Sequence, residues 1–181
     1  MNLFLLRHAS AGTRRPNPAV DVKRPLDKEG KRNCLHLAHV LNALKVNFDL
    51  IVSSPLKRSL QTAQLVGTET GYETPIVISK ALAPDANWGQ FQRLLHESSG
   101  YENVLVVGHN PNITAFLIHL LSTNGHDGMH QRPRIRLRKG AIARVNMQRG
   151  PATLQWLLTP PVVKALYATS TKSSRRKTSR K

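Results

Sequence analysis

A chain of 181 residues, 40% of them hydrophobic, is long enough to bury one core and frame one concave site. Its single cysteine, Cys34, excludes an intrachain disulfide, and no stretch approaches the roughly 20 apolar residues that a membrane-spanning helix needs. The formal charge of +17 is unevenly placed: the first 127 residues hold 13 Lys/Arg against all 10 Asp/Glu, and the other 14 Lys/Arg follow without an acid among them. Residues 3–6 are too short for the apolar region of a signal peptide, so a reducing, cytoplasmic location is the expectation.

Taken in chain order, NLFLL (2–6) reads as a buried strand, a short apolar run that stops at Arg7-His8 and a turn-prone segment. Residues 9–26 carry Gly12, Pro16, Pro18 and Pro25 and read as loop. Asp27 is a plausible N-cap for a helix to about Lys45, with Leu37, Leu41 and Leu44 on one face. DLIVSS (49–54) is the next strand, and PLKRSLQTAQLV (55–66) the next helix, with Pro55 near its first turn. PIVIS (75–79) is a third strand, a helix follows at 87–98, NVLVVGH (103–109) is a fourth strand, and ITAFLIHLL (113–121) is an apolar helix.

Strands alternating with helices predict a three-layer α/β/α sandwich around a mainly parallel sheet. RIRLRKGAIARVNM (134–147) and ATLQWLLT (152–159) alternate well enough to form an antiparallel pair at one edge of it. The expected organisation is one domain over residues 1–160 and a basic, disordered tail over 161–181, whose last stretch TSTKSSRRKTSRK is polar and of low complexity.

Ligands of open α/β sheets bind beyond the carboxyl ends of the parallel strands. Three strands end in suitable residues: Arg7-His8, then Ser53-Ser54-Pro55 leading to Arg58, then Gly108-His109-Asn110. Two guanidinium forks and two imidazoles converging on one point suit a tetrahedral, doubly charged oxyanion such as a phosphoryl group. Ser54, Asn110 and the N-terminus of the helix after Pro55 supply further candidate donors. Arginine neighbours disfavour the imidazolium, so a histidine there stays neutral near pH 7 and can attack phosphorus while the other cations hold the oxygens. That chemistry needs neither a metal nor another cofactor.

With its LLRHASAG, SSPLKRSLQTA and VLVVGHNP segments, the chain resembles the histidine phosphatase superfamily, whose signature is an Arg-His pair at the end of the first strand. RPLDKEGKRN (24–33), ALAPDANW (81–88), KGAIARV (139–145) and LQWLLTP (154–160) are similar to landmarks of its SixA-like phosphohistidine phosphatases. The resemblance spans about residues 1–160 and implies that superfamily's phosphoglycerate mutase-like fold. It implies His8 as the nucleophile, with Arg7, Arg58 and His109 gripping the phosphoryl group and Arg24 adding a contact. Ala9 stands where the family usually has glycine, and the position of the carboxylate proton donor of larger members is matched only by Asp85, either a donor or a plain loop residue. A phosphoramidate, whose imidazole leaves readily, needs no strong acid, whereas an alkoxide does.

The resulting expectation is a metal-independent phosphatase acting on phosphohistidine in proteins through phospho-His8. A phosphatase for small phosphate esters and a non-catalytic phosphoprotein- or polyanion-binding module are the alternatives; a phosphoglycerate mutase has little room in this length. Arg24 is either a phosphoryl contact or a solvated loop arginine. His36 and His39, three apart on a helix, lack a carboxylate or cysteine to complete a metal site. His119 reads as a packed or partly buried histidine, and His126 and His130 flank Asp127 in a loop, where a rim role at the site is an option. Arg134, Arg136 and Arg138 share one face in a strand, with Ile135 and Leu137 on the other. That face and the tail offer non-specific polyanion contact but, with no aromatic residue after Tyr167, no specific nucleic-acid readout.

Overall fold

A computed structural model describes residues 1–122, 133–147 and 151–178, with side chains as far as residue 170. His126, Asp127 and His130 therefore lie outside the described residues. Strands β1 (Asn2–Arg7), β2 (Leu50–Ser53), β3 (Val77–Ile78), β4 (Asn103–Gly108), β5 (Ile142–Asn146) and β6 (Thr153–Leu158) form one sheet in the order β3-β2-β4-β1-β5-β6. β1, β2, β3 and β4 run parallel, and β5 and β6 are the antiparallel edge.

The period of two along each buried strand feeds two cores. Leu3 and Leu5 with Val104 and Val106 face one layer, whose helices are α4 (Trp88–Glu97) and α5 (Asn112–Leu121). Phe4 and Leu6 with Leu105 and Val107 face the other, formed by α2 (Lys28–Ala43), α3 (Lys57–Glu69) and α6 (Pro160–Thr178). Phe91 and Phe116 stack at 4.4 Å in the first core, and Phe4 meets Phe48 edge-on at 5.2 Å in the second. The expected α/β/α sandwich is what forms. No helix among the described residues is long and apolar enough to cross a membrane.

Local rules account for most element ends. Asp27 caps α2 by accepting from Gly30 N at 2.7 Å, and Asn87 and Gln90 form a reciprocal capping box on α4. Asp27 also accepts from Ser10 Oγ at 2.6 Å and Gly12 N at 2.8 Å, so a single carboxylate starts α2 and fixes the turn after β1. Gly30 packs against that turn so closely that a Cβ would overlap the Ser10 carbonyl oxygen.

Four expectations change. The loop over residues 9–26 contains a short helix, α1 (Pro18–Val22), capped by Asn17. β3 is only two residues long, because PIVIS lies at the sheet edge, where Val77 and Ile78 are exposed. The strand expected from residue 134 begins at Ile142; residues 133–138 stay outside the sheet yet keep the alternation, with Arg134, Arg136 and Arg138 exposed and Leu137 fully buried. The segment expected as a disordered tail is helical to Thr178 and packs on α2. The reason is a helical stripe that the basic composition hides. Pro160 and Pro161 open the helix, Val163 is buried, Tyr167 stacks on His36 at 4.1 Å, and Ser170 Oγ lies 2.8 Å from His39 Nε2. His36 and His39 thus serve helix packing, and no metal-binding group of three His, Cys, Asp or Glu occurs among the described residues. His119 packs its ring 3.8 Å from that of Trp88, as a packed histidine should, but on the exposed side of α5.

Candidate active site

The three strand ends converge as expected. His8 follows β1, Arg58 lies in the first turn of α3 after β2, and His109 follows β4; all three are buried. The His8 and His109 rings lie 4.9 Å apart between centroids. Together with Arg7, Arg14, Arg15, Arg24 and Lys139 they line a cleft of about 580 Å³.

His8 Nδ1 is 2.8 Å from the Ala9 carbonyl oxygen. A carbonyl only accepts, so Nδ1 carries the hydrogen and Nε2 is left with the lone pair. Ala9 is held in turn, its N–H donating to Thr62 Oγ1 at 3.1 Å. Burial first, then the charges of Arg58, Arg7 and Lys139, push the His8 pKa down to about 3 against the hydrogen bond to Ala9. His8 is therefore neutral at pH 7, in the tautomer of a nucleophile.

His109 lies with Nε2 at 2.8 Å from Ser54 Oγ and 3.2 Å from Ser59 Oγ. A hydroxyl donating to Nε2 places the ring proton on Nδ1. Burial, then His8, Arg58 and Arg7, push this imidazole down to about 2 despite the opposing charge of Asp21. Ser54 is fully buried and acts on His109 instead of lining the cleft.

The arginines are fixed by backbone oxygens. Arg7 Nη1 donates to Leu137 O at 2.9 Å, and Asn110 Nδ2 donates to the same oxygen at 3.1 Å while its Oδ1 accepts from Thr114. Arg58 Nη1 donates to Asp21 O at 3.0 Å and to Asp21 Oδ2 at 3.2 Å. Arg7 Nε, Arg58 Nε and His109 Nδ1 are buried with no protein partner among the described residues. Buried donors need acceptors, and the oxygens of a phosphoryl group are the acceptors this set fits.

Asp21, absent from the sequence reading, joins two of these cations. Its carboxylate also accepts from Arg24 Nε at 2.8 Å and Arg15 N at 3.0 Å. The Arg24 hydrogen bond first, then the Arg15 N–H, hold its pKa well below the usual carboxylate range. Arg24 lines the cleft, but its Nη1 donates to the Ala11 and Gly12 carbonyls at 2.7 and 3.2 Å and its Nη2 to Asp21 Oδ2 at 3.5 Å. Asp85 is exposed and does not line the cleft, although its neighbour Pro84 does. The sequence signal for Asp21 was its position three residues before Arg24, and for Arg14 and Arg15 their pairing before Pro16 in the loop.

Two imidazoles buried neutral make the fold acid-sensitive. Both folded pKa values lie below the ordinary value near 6.5, so the unfolded chain binds the extra protons and stability falls as pH drops below about 6.5. From pH 7.5 to pH 5 the loss is of the order of 2 kcal/mol for each histidine. Urea unfolding at the two pH values reads this directly: His8→Asn and His109→Asn should each remove one share, and a parent-like loss in both variants would contradict it.

A sequence model of the histidine phosphatase superfamily (branch 1) matches residues 3–100. An uncharacterized protein of Picosynechococcus is 32% identical over 145 residues, covering 78% of this chain and 87% of that one. Phosphohistidine phosphatase SixA of Escherichia coli is 26% identical over 163 residues, covering 88% of this chain and 94% of its own. Among solved structures, the protein histidine phosphatase SixA complexed with tungstate superimposes with a TM-score of 0.75 at 25% identity, covering 88% of this chain and 97% of the other. The alpha-ribazole phosphatase of Shigella flexneri shares the fold, with a TM-score of 0.66 at 20% identity over 88% of this chain and 97% of that one.

Proposed function

The chain belongs to the histidine phosphatase superfamily, and we propose that it removes the phosphoryl group from phosphohistidine in proteins through a phosphorylated His8. His8 Nε2 attacks phosphorus, the bond from phosphorus to the substrate imidazole breaks, and the imidazole leaves with that electron pair, its ring protonated from solvent. Arg7, Arg58 and His109 hold the three equatorial oxygens as charge develops on them. A water then attacks the phosphorus of phospho-His8, releases inorganic phosphate and returns Nε2 with its lone pair. The tungstate in the SixA complex, a tetrahedral oxyanion, agrees with a site for a phosphoryl group.

The observation that carries the substrate assignment is the state of the carboxylates. Among the described residues lining the cleft, Asp21 is the one carboxylate, and two arginines and a backbone N–H keep it ionised. A carboxylate held that way is a poor proton donor, so a site served by it favours a leaving group that departs near neutrality. The imidazole of phosphohistidine does, and an alkoxide does not. The shared fold of the alpha-ribazole phosphatase keeps small phosphate esters as the second reading.

Phosphate release in the presence of a chelator separates these readings. A phosphohistidine peptide should be turned over at least about 100-fold faster, by kcat/KM, than an alkyl phosphate, the scale general-acid assistance commands. Faster alkyl ester turnover would select the small-ester reading, and no release from either would leave a binding module.

A further inference from the structure

Beside the catalytic cleft lies a second concavity of about 790 Å³ with a different lining. Besides Arg7, its cations come from three segments far apart in sequence: Arg32 on α2, Arg136, Arg138 and Lys139 before β5, and Lys164 on α6. Arg7 and Lys139 line both hollows, so the groove runs into the cleft that holds His8. Glu29 is the one acid on its wall among the described residues. The ion pairs among the described residues join Asp21 to Arg24 and Arg58, which leaves the groove cations without a salt-bridge partner there.

This is a built surface and not a floating run of charge. Leu137 is fully buried and its carbonyl receives both Arg7 and Asn110, so the exposed Arg136 and Arg138 on either side of it are pinned in relation to the catalytic arginine. Lys164 is set by the packing of α6, whose Val163 is buried in the core shared with α2.

Building on the phosphohistidine phosphatase reading, we propose that this groove docks an acidic stretch of the phosphoprotein substrate beside the phosphorylated residue. Clustered cations facing solvent attract carboxylates and speed their encounter with the cleft. The rest of the lining favours a polypeptide over a uniform polyanion. Pro160 and Pro161 add apolar surface, and Ser10 and Asn33 add hydrogen-bonding groups. Among the described residues, no aromatic side chain lines the groove for base stacking.

The test uses the full chain, three substrates and one variant. The substrates are the phosphoramidate ion, a phosphohistidine peptide flanked by Asp and Glu, and the same peptide with Asn and Gln in their place. The variant combines Arg32→Gln, Arg138→Gln and Lys164→Gln, one exposed cation from each segment. The parent should show a KM about 10-fold lower for the acidic peptide at low salt, with kcat unchanged, and the advantage should shrink as salt screens it. In the variant both peptides should have the neutral peptide's KM, with turnover of phosphoramidate intact as evidence of folding. Anisotropy of the labelled, unphosphorylated acidic peptide reads the groove without turnover: parent binding that weakens about 10-fold in the variant supports docking even if peptide hydrolysis fails. No preference and no acidic-peptide binding in the parent, or both preserved in the variant, overturn the proposal. Polyphosphate that competes more tightly than the acidic peptide, and loses its grip in the variant, would make the groove a polyanion site and overturn the protein assignment.

Discussion

Replacing His8 by alanine lowers turnover of a phosphohistidine peptide by about 10⁴-fold or more, the scale on which enzymes lose activity with their nucleophile. The size follows from how completely the site is organised around this one nitrogen. The Ala9 carbonyl fixes the tautomer, and burial together with Arg7 and Arg58 keeps the imidazole neutral. Among the described residues, nothing else lining the cleft duplicates this role. His109 is the second imidazole, but its Nε2 lies between Ser54 and Ser59, and it is suited to donate from Nδ1 rather than to attack. Steady-state phosphate release checks the loss. A His8→Ala variant that kept a tenth of the parent rate would assign the chemistry to another group.

Arg58→Ala should cost about 10²- to 10³-fold in kcat/KM, the effect of deleting one donor aimed at developing charge in a water-poor site. Arg58→Lys should not restore it, because a single ammonium cannot both keep the Asp21 contacts and present a second donor to the phosphoryl oxygens. Asp21→Asn separates positioning from charge. An amide oxygen can still accept from Arg24 or Arg58, but it loses the ionic attraction that orients both guanidinium groups and adds net positive charge to the cleft. The expected change is a fall of about 10-fold in kcat with KM unchanged or lowered, as ground-state phosphate binding tightens while transition-state alignment slackens. If Arg58→Lys recovers parent kcat/KM, the bidentate role is wrong; if Asp21→Asn is silent in both constants, Asp21 positions nothing.

The parts of this site that were legible in the sequence are those a strand end delivers by itself. Arg7, His8 and His109 each follow directly on a buried apolar run, and a parallel sheet brings such ends together whatever the loops do. Asp27 was legible as a cap for the same reason, its partner lying only three residues away. Asp21 was not, since the residue it anchors most deeply, Arg58, is 37 positions distant and the helix that carries Asp21 is five residues long. The cationic groove was illegible too, because residues 29–33, 136–139 and 160–164 become neighbours only once α6 packs on α2. In α6 a local composition signal outweighed the periodic one: the Lys, Arg and Ser of the final residues suggested disorder, while Val163, Tyr167 and Ser170 already marked one helical face. The alternation of Arg134, Arg136 and Arg138 with buried Leu137 is legible and holds without a strand, because Leu137 needs burial with or without a ladder.

The measurement that bears most directly on phospho-His8 as the intermediate is its capture. The enzyme is mixed with a ³²P-labelled phosphohistidine peptide, quenched within a turnover in alkali, where phosphoramidates survive, and digested. Label that appears transiently on the peptide containing His8, and is absent in His8→Ala, is the predicted result. Phosphate release at the parent rate with no label on that peptide, or label that persists in His8→Ala, would contradict the mechanism.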